Sequence, residues 1–318
     1  MKSGHLLQLL LLSAVWGVSF LLIRIAGDSF PPLWVALLRC TAGALLLWSV
    51  MAVTRRSLPP RQLLPWLLLV ALFNNAIPFT CFAWGERTIP SSTAAVINAT
   101  TPIWTLLITL TVQRGLNTNH TSSRITLRMI FGVALSFAGV LLVVMGHATA
   151  DNLPAAREGL FLGSILVAFA SLSYGIATVA AKTKLRGLDP IGLATTQLSL
   201  ASLMLLPVAL AGPHPTSVSA ASFAAIATLG LAGSGLAYLL YYNLLAHISA
   251  THVAAVTYLL PIWGLFWGFL AGERVRWTSF AGVAIVLAGL VLMNLRPNLG
   301  KAAVVVPPPA KPCPAEQT

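Results

Sequence analysis

The sequence predicts an all-α integral membrane protein whose ten transmembrane helices form two inverted five-helix repeats. Composition is the first reason: 57% of the 318 residues are hydrophobic, only 8% are charged, and the mean hydropathy is +0.86. Soluble domains carry about 25% charged residues, so this chain cannot build an ordinary water-facing surface. The other reasons are a series of apolar segments and a likeness between the two halves of the chain. Together they exclude kinase, dehydrogenase and DNA-binding folds.

Ten apolar segments are bounded by proline, glycine and charged residues. Each has about the 20 residues that a helix needs to cross a bilayer. Proline precedes several of them, where the start of a helix tolerates a missing N–H. The segments span residues 5–26, 33–53, 63–84, 90–113, 127–146, 159–181, 191–211, 221–244, 250–271 and 277–295.

Lys and Arg are concentrated on one side of these spans, namely the side of the N-terminus and of residues 55–61, 182–186 and 296–318. Because basic residues flank spans on the cytoplasmic side, both termini are predicted to be cytoplasmic, in what we expect to be a bacterial inner membrane. The net charge of +12 is therefore attributed to topology and not to nucleic-acid binding. The Pro-rich tail, 296–318, is expected to be disordered.

An internal repeat relates the two halves. Residues 88–95 align with residues 247–254, and after the same spacing Pro-Ile-Trp at 102–104 aligns with Pro-Ile-Trp at 261–263. Because each repeat has an odd number of spans, the second enters the membrane from the opposite face. Such a pair suits alternating access, in which a cavity between the repeats opens to each side in turn; a duplication kept only for stability is the alternative. The repeats are 8–146 and 159–295, and residues 147–158 join them.

These segments also resemble a known family. The stretch from Ala14-Val15-Trp16-Gly17 through Pro32 to Arg39, both Pro-Ile-Trp helices, and Gly272-Glu273-Arg274 are similar to the EamA family of the drug/metabolite transporter superfamily. The resemblance implies ten helices, two EamA repeats, cytoplasmic termini, and export or exchange of small metabolites such as amino acids. One departure stands out: the family pattern also has Gly-Glu after the fourth span, where this chain has Gln113-Arg114-Gly115.

Prolines within spans indicate where a substrate cavity could form. A proline inside a helix displaces the carbonyl four residues earlier. Such broken backbone in a membrane should be buried in protein or line a wet cavity. Curvature of the helices for packing is the alternative. The helix-break prolines are Pro78, Pro102 and Pro261, the displaced carbonyls belong to Asn74, Asn98 and Thr257, and Asn75 adds a further amide.

Aromatic residues at a similar depth are the remaining candidates for the cavity. Tyr and Trp offer an apolar face with one polar atom, which suits a small amphiphilic substrate; helix packing and interfacial anchoring are the alternatives. The predicted cavity aromatics are Trp16, Trp104, Tyr174, Tyr258 and Trp263. Arg39 is an intramembrane charge, for which a structural or gating role is favoured over substrate contact. Arg24 and Lys182, near helix ends, are expected to reach the interface.

The sequence indicates neither catalysis nor a cofactor. All acidic residues lie in loops, at helix ends or in the tail, so no carboxylate proton relay is expected at the midplane of the membrane. Transport is therefore expected to proceed without a carboxylate-based proton site. We predict no catalytic residues, no metal and no cofactor; the predicted partners are a small-molecule substrate and the lipid bilayer. An intramembrane lipid-modifying enzyme and a channel or scaffold are the alternatives. Gly132, Gly139, Gly282 and Gly289 are predicted packing seams, either between the repeats or between subunits of a homodimer.

Overall fold

The computed structural model describes residues 3–115, 126–148, 154–248, 253 and 256–294, and its helices confirm the predicted fold class. Eight helices of the described residues have the length and apolar composition to cross a membrane, and two shorter apolar helices complete the ten spans. The helices are α1 (Ser3–Gly27), α2 (Pro32–Thr54), α3 (Arg61–Gly85), α4 (91–115), α5 (Leu127–Ala148), α6 (Pro154–Lys184), α7 (Pro190–Ala211), α8 (220–247), α9 (Val256–Leu270) and α10 (Trp277–Asn294). The tail 296–318 and part of the joining segment 147–158 lie outside the described residues.

Local sequence explains several helix starts. Pro190 occupies the first turn of α7, and the Asp189 side chain caps this helix by accepting a hydrogen bond from the Gly192 N–H at 2.9 Å. The Ser219 side chain caps α8 in the same way, accepting from the Ser222 N–H at 3.0 Å. Such caps satisfy backbone donors that the first helical turn leaves free.

Two helices contain a π-turn at equivalent positions of the two repeats. In α3 it covers Leu72–Ala76, and in α8 it covers Leu231–Leu236. The register that aligns Pro102 with Pro261 also brings the starts of these two turns together. A π-turn widens the helix locally and is frequent at functional sites. The repeat symmetry therefore extends to an irregularity that neither segment's composition predicts.

The predicted helix breaks take different forms. The fourth span is interrupted at Ala99 and Thr100, just before Pro102, so that it consists of the pieces Ser91–Asn98 and Thr101–Gly115. Pro78 lies at the start of the regular helix that follows the π-turn of α3. In α9 the helix continues through Pro261 from Val256. Residues 254 and 255, immediately before it, lie outside the described residues.

The predicted glycine seams join the two repeats of a single chain. A Cβ placed on Gly139 would lie 2.7 Å from the Gly282 carbonyl oxygen, and one placed on Gly132 would lie 2.6 Å from that of Gly289. Helices α5 and α10 therefore approach backbone to backbone, which larger residues would prevent. Since these glycines pack against each other within one chain, they cannot also form the contact between two subunits. The predicted homodimer therefore stays a prediction, and it would need a different surface.

A second symmetric contact fixes the crossing of the helices that carry Pro-Ile-Trp. Gly17 in α1 packs directly against the Trp263 side chain in α9, and Gly175 in α6 packs against the Trp104 side chain in α4. Each contact joins the two repeats. The Trp16-Gly17 and Tyr174-Gly175 pairs thus place an aromatic residue beside each of these crossings.

Candidate functional site

A central cavity of about 470 Å³ lies between the two repeats. It is lined by residues of eight helices, α1 to α4 and α6 to α9, so both repeats contribute to its wall. The predicted residues that line it are Trp16, Arg39, Asn74, Asn98, Tyr174 and Thr257. Further lining residues that the sequence analysis did not select include Ser19, Phe20, Ile23, Phe79, Phe82, Lys182, Gln197, Ser234, Tyr238 and Tyr241.

The π-turns supply polar groups to this cavity in a symmetric pattern. Arg39 Nε in α2 donates to Ser234 Oγ in the π-turn of α8 at 3.0 Å. In the other repeat, Gln197 Oε1 in α7 accepts from Asn74 Nδ2 at 3.1 Å and from Asn75 Nδ2 at 3.3 Å, both in the π-turn of α3. The repeat register pairs Arg39 with Gln197 and Asn75 with Ser234. Each bridge therefore joins one repeat to the other beside the cavity.

Arg39 is held firmly while its charge faces the cavity. The residue is 7% exposed, and its guanidinium lies 3.8 Å from the centre of the Phe79 ring. Its hydrogen bond to Ser234 is made by Nε, and the residue lines the cavity. The described lining contains two cations, Arg39 and Lys182, and neither Asp nor Glu. This composition favours a ligand that carries a negatively charged group.

Several predicted residues lie outside the described lining of the cavity. Asn75 is fully buried, and it donates a hydrogen bond to the same Gln197 oxygen that accepts from Asn74. Trp104 and Trp263 pack at the helix crossings, and Trp263 Nε1 donates to Ser13 Oγ at 2.9 Å. The others outside it are Tyr258, which packs among apolar residues of α5 and α10, and Pro78, Pro102 and Pro261.

The residues that the sequence analysis missed had weak signals. Gln197 could have been found as the repeat partner of Arg39, because a polar residue at both equivalent positions is unusual in apolar spans. Ser234 lies in the Gly-rich stretch 230–235. Such a stretch indicates that another helix can approach closely, but it does not predict a hydrogen bond from Ser234 to α2. Tyr238 is one turn further along α8, where its hydroxyl accepts from Asn74 Nδ2 at 3.1 Å.

A polar cluster next to Ile23, a residue of the cavity wall, joins the two repeats; it is made of Arg24, Ser91, Ser92 and Glu273, and we call it the Glu273 latch. The Glu273 carboxylate accepts hydrogen bonds from the backbone N–H groups of Ser91 and Ser92 at 2.9 and 3.2 Å, and from both hydroxyls at 2.7 Å. Arg24 Nη1 lies 2.7 Å from Glu273 Oε1. A carboxylate from the second repeat thus caps the start of α4 in the first, where the helix dipole favours negative charge.

The hydrogen bonds of the latch determine the charge of Glu273. Burial acts to raise the pKa of this carboxyl, but the hydrogen bonds from Ser92 and Ser91 outweigh burial, and the pKa is lowered. The carboxylate is therefore ionised at neutral pH. The Gly268 position makes room for it, since a Cβ there would lie 2.6 Å from Glu273 Oε2.

A second cavity of about 410 Å³, which we call the vestibule, lies at the latch end. It is lined by residues that include Arg24, Glu86 and His147. Ile23 lines both cavities, and Phe82 beside it packs edge-on against Phe20 at 5.5 Å between ring centres. A thin apolar layer therefore separates the central cavity from the vestibule. At its other end the central cavity extends to Lys182 and Tyr241, near the ends of α6 and α8.

The sequence profile of the EamA-like transporter family matches residues 3–145 and 161–295. The uncharacterized inner membrane transporter YedA of Escherichia coli strain K12 is 28% identical over 304 residues, which are 92% of this chain and 92% of that protein. The probable terminal-alkyne amino-acid exporter of Streptantibioticus cattleyicolor is 25% identical over 306 residues, which are 95% of this chain and 97% of that protein. A protein of known crystal structure superposes with a TM-score of 0.63 at 15% identity, over 92% of this chain and 97% of its own, and this likeness shows the fold alone.

Proposed function

Because this chain belongs to the EamA-like transporter family, we propose that it exports or exchanges small polar metabolites, such as amino acids, by alternating access. The observation that carries the proposal is the central cavity between the two repeats, which is walled by both of them and separated by an apolar layer from the vestibule at the latch end. A cavity of about 470 Å³ is within the range of small-molecule sites. Alternating access needs no catalytic group and no cofactor, and we assign none.

The chemistry of the lining supports an amphiphilic anion or zwitterion as substrate. Arg39 lines the cavity, and guanidinium groups suit carboxylates because they can donate two parallel hydrogen bonds. Trp16, Phe20 and Tyr174 supply an apolar wall on which a side chain can pack. Asn98 and Thr257 add polar groups at the depth of the helix break. An amino acid combines the carboxylate and the apolar body that this lining would accept.

We further propose that the structure corresponds to an inward-facing state in a bacterial inner membrane, with both termini cytoplasmic. The open end of the cavity lies beside Lys182, on the side that also carries Arg56, Lys184 and Arg186. Basic residues mark the cytoplasmic side of membrane proteins. The Glu273 latch is then the closed gate on the periplasmic side. Exchange of the conformations of the two repeats would open it and close the cytoplasmic end.

The test is efflux from bacteria that overexpress the protein. Cells are loaded with members of a panel of amino acids and drugs, and the rate of release is compared with that of cells carrying an empty vector. Trp16→Ala is expected to abolish the release that the intact protein confers, because it removes an aromatic wall of the cavity. Trp277→Ala is the matched control, since that side chain is 72% exposed on α10.

Both variants must insert in the membrane to similar levels. Equal loss of efflux in Trp16→Ala and Trp277→Ala would contradict the assignment of the cavity. Failure of the intact protein to accelerate release of any member of the panel would contradict the proposed export of these metabolites.

A further inference from the structure

The vestibule holds a carboxyl group that the proposed transport cycle does not yet use. Glu86 directly follows α3, is 4% exposed, and neither of its carboxyl oxygens has a hydrogen-bond partner among the described residues. The residue lines the vestibule, although both carboxyl oxygens are buried in the latched structure. We propose that Glu86 is a proton-binding site, and that the proton it holds keeps the Glu273 latch closed.

The charged groups around Glu86 come from several helices of both repeats. The Arg24 charge is already engaged by Glu273 at 2.7 Å, so it does not fully compensate a second carboxylate. His147 Nδ1 contacts the Val143 carbonyl oxygen at 2.9 Å, while its buried Nε2 has no hydrogen-bond partner among the described residues. In the part of the chain that the structure describes, the charged and titratable groups that line the vestibule or act on the Glu86 charge are Arg24 and Asp28 at the end of α1, Arg39 in α2, Arg87 beside Glu86, His147 at the end of α5, and Glu273 after α9.

This environment favours the protonated form of Glu86 in the latched structure. Burial raises the pKa of Glu86 well above its usual range, and the charge of Glu273 raises it further, whereas Arg24 and Arg39 lower it. A buried carboxylate without hydrogen bonds is costly, and protonation is the usual way in which a protein avoids that cost. The two acidic residues therefore differ. Glu273 is ionised and accepts four hydrogen bonds from Ser91 and Ser92, whereas Glu86 is neutral and accepts none from the described residues.

Ionisation of Glu86 would act against the latch in two ways. Its negative charge would repel Glu273, and it would compete with Glu273 for Arg24. Conversely, opening of the latch would let water reach Glu86 and return its pKa towards the ordinary value. The latched state thus binds the proton more tightly than the open state, and the two equilibria are linked.

The sign of the pH dependence follows from this linkage. An acid whose pKa is raised in the latched state favours that state fully at pH values below its ordinary pKa. As the pH rises from the ordinary pKa of a glutamate to the raised pKa of Glu86, the latched state is progressively disfavoured. The ratio of latched to open molecules falls by about tenfold for each pH unit in this range. If the proposed alternating-access function holds, on which this consequence rests, the transport rate will depend on the pH at the latch side of the membrane.

Distance measurements between spin labels can test the linkage without any substrate. Labels are placed through Gly27→Cys and Ala271→Cys, one in each repeat beside the latch, in a full-length chain whose native cysteines are replaced by serine and which is held in lipid nanodiscs. A side chain at Gly27 meets no atom within 4 Å, and Ala271 is exposed. As the pH is raised, the parent is expected to shift from a short to a longer distance. In Glu86→Gln the distance should stay short at every pH, because an amide cannot ionise.

A latch variant shows that the labels report opening. Ser91→Ala combined with Ser92→Ala removes two hydroxyl donors to Glu273 and is expected to give the longer distance more often at every pH. The proposal is overturned if Glu86→Gln titrates like the parent, if the parent does not respond to pH, or if the serine variant leaves the distance unchanged.

Infrared spectroscopy of the chain with its native cysteines gives an independent measurement of the proton. At neutral pH the protein should show the carbonyl stretch of a protonated carboxyl group, and Glu86→Gln should lack it. Glu158→Gln is the matched control, since Glu158 is an exposed glutamate of α6. Persistence of the band in Glu86→Gln would contradict the proposal. Neither measurement needs transport, so their failure is distinguishable from failure of the proposed export.

Discussion

Glu273→Gln is the most direct test of the latch as a gate. The carboxylate accepts four hydrogen bonds from Ser91 and Ser92 and also pairs with Arg24. A glutamine in the same place keeps one carbonyl oxygen as an acceptor, but it turns an amide group towards donors that it cannot satisfy. It also removes the negative charge from the start of α4.

The size of the effect follows from these contacts. Hydrogen bonds to charged groups contribute about 1.5–3 kcal/mol each, and the substitution removes about two of them. The Arg24 side chain is 47% exposed, so its ion pair adds at most about 1 kcal/mol. Water compensates part of the loss in the open state. We expect a net shift of about 2–4 kcal/mol towards the open latch, or roughly 30- to 1000-fold in the equilibrium constant.

The assay is alkylation of a cysteine placed behind the apolar layer. Ser19→Cys puts a thiol in the central cavity with little change in volume, in a chain without native cysteines. A membrane-impermeant maleimide applied from the latch side should react faster in Glu273→Gln by the factor above, and Glu158→Gln should leave the rate unchanged. An unchanged rate in Glu273→Gln, with normal membrane insertion, would refute the latch.

Two further predictions concern the cavity and the packing seam. Arg39→Lys should raise the substrate KM for a carboxylate substrate by tenfold or more in efflux assays while sparing an uncharged one, since lysine keeps the charge but loses the paired donors. Gly139→Val should lower the thermal unfolding temperature in detergent, because its side chain meets the backbone of α10 at 2.7 Å and overpacking costs about 1–3 kcal/mol.

The fold could be predicted because it depends on properties that recur along the whole chain. Apolar length marks each span regardless of its neighbours, and the repeated Pro-Ile-Trp sequences fix the register of the two halves. The family profile matches the chain twice, over 3–145 and 161–295, and the bounds of the two repeats stay a prediction. The glycines at 139 and 282 were identified as seams, and only the structure shows that they face each other within one chain.

The site was harder to predict because its contacts join residues far apart in the sequence. Arg24 and Glu273 are separated by most of the chain, and each taken alone is typical of a residue at a helix end. The π-turns have no compositional signal in Leu72–Ala76, yet they direct Asn74 towards the cavity and Asn75 towards Gln197. Whether a loop carboxyl such as Glu86 is buried depends on how five elements meet, which no local pattern encodes.

The two repeats differ in sequence at the positions equivalent to the latch. The repeat register places Arg114 opposite Glu273 and Lys182 opposite Arg24. At the latch end Glu273 and Arg24 form an ion pair at 2.7 Å, whereas the two equivalent positions are both basic in the sequence. A strictly symmetric pair of repeats would have equal energies in its two orientations. Because the position equivalent to Glu273 carries no carboxyl group, a second latch of the same kind is not expected, and the two orientations should differ in energy.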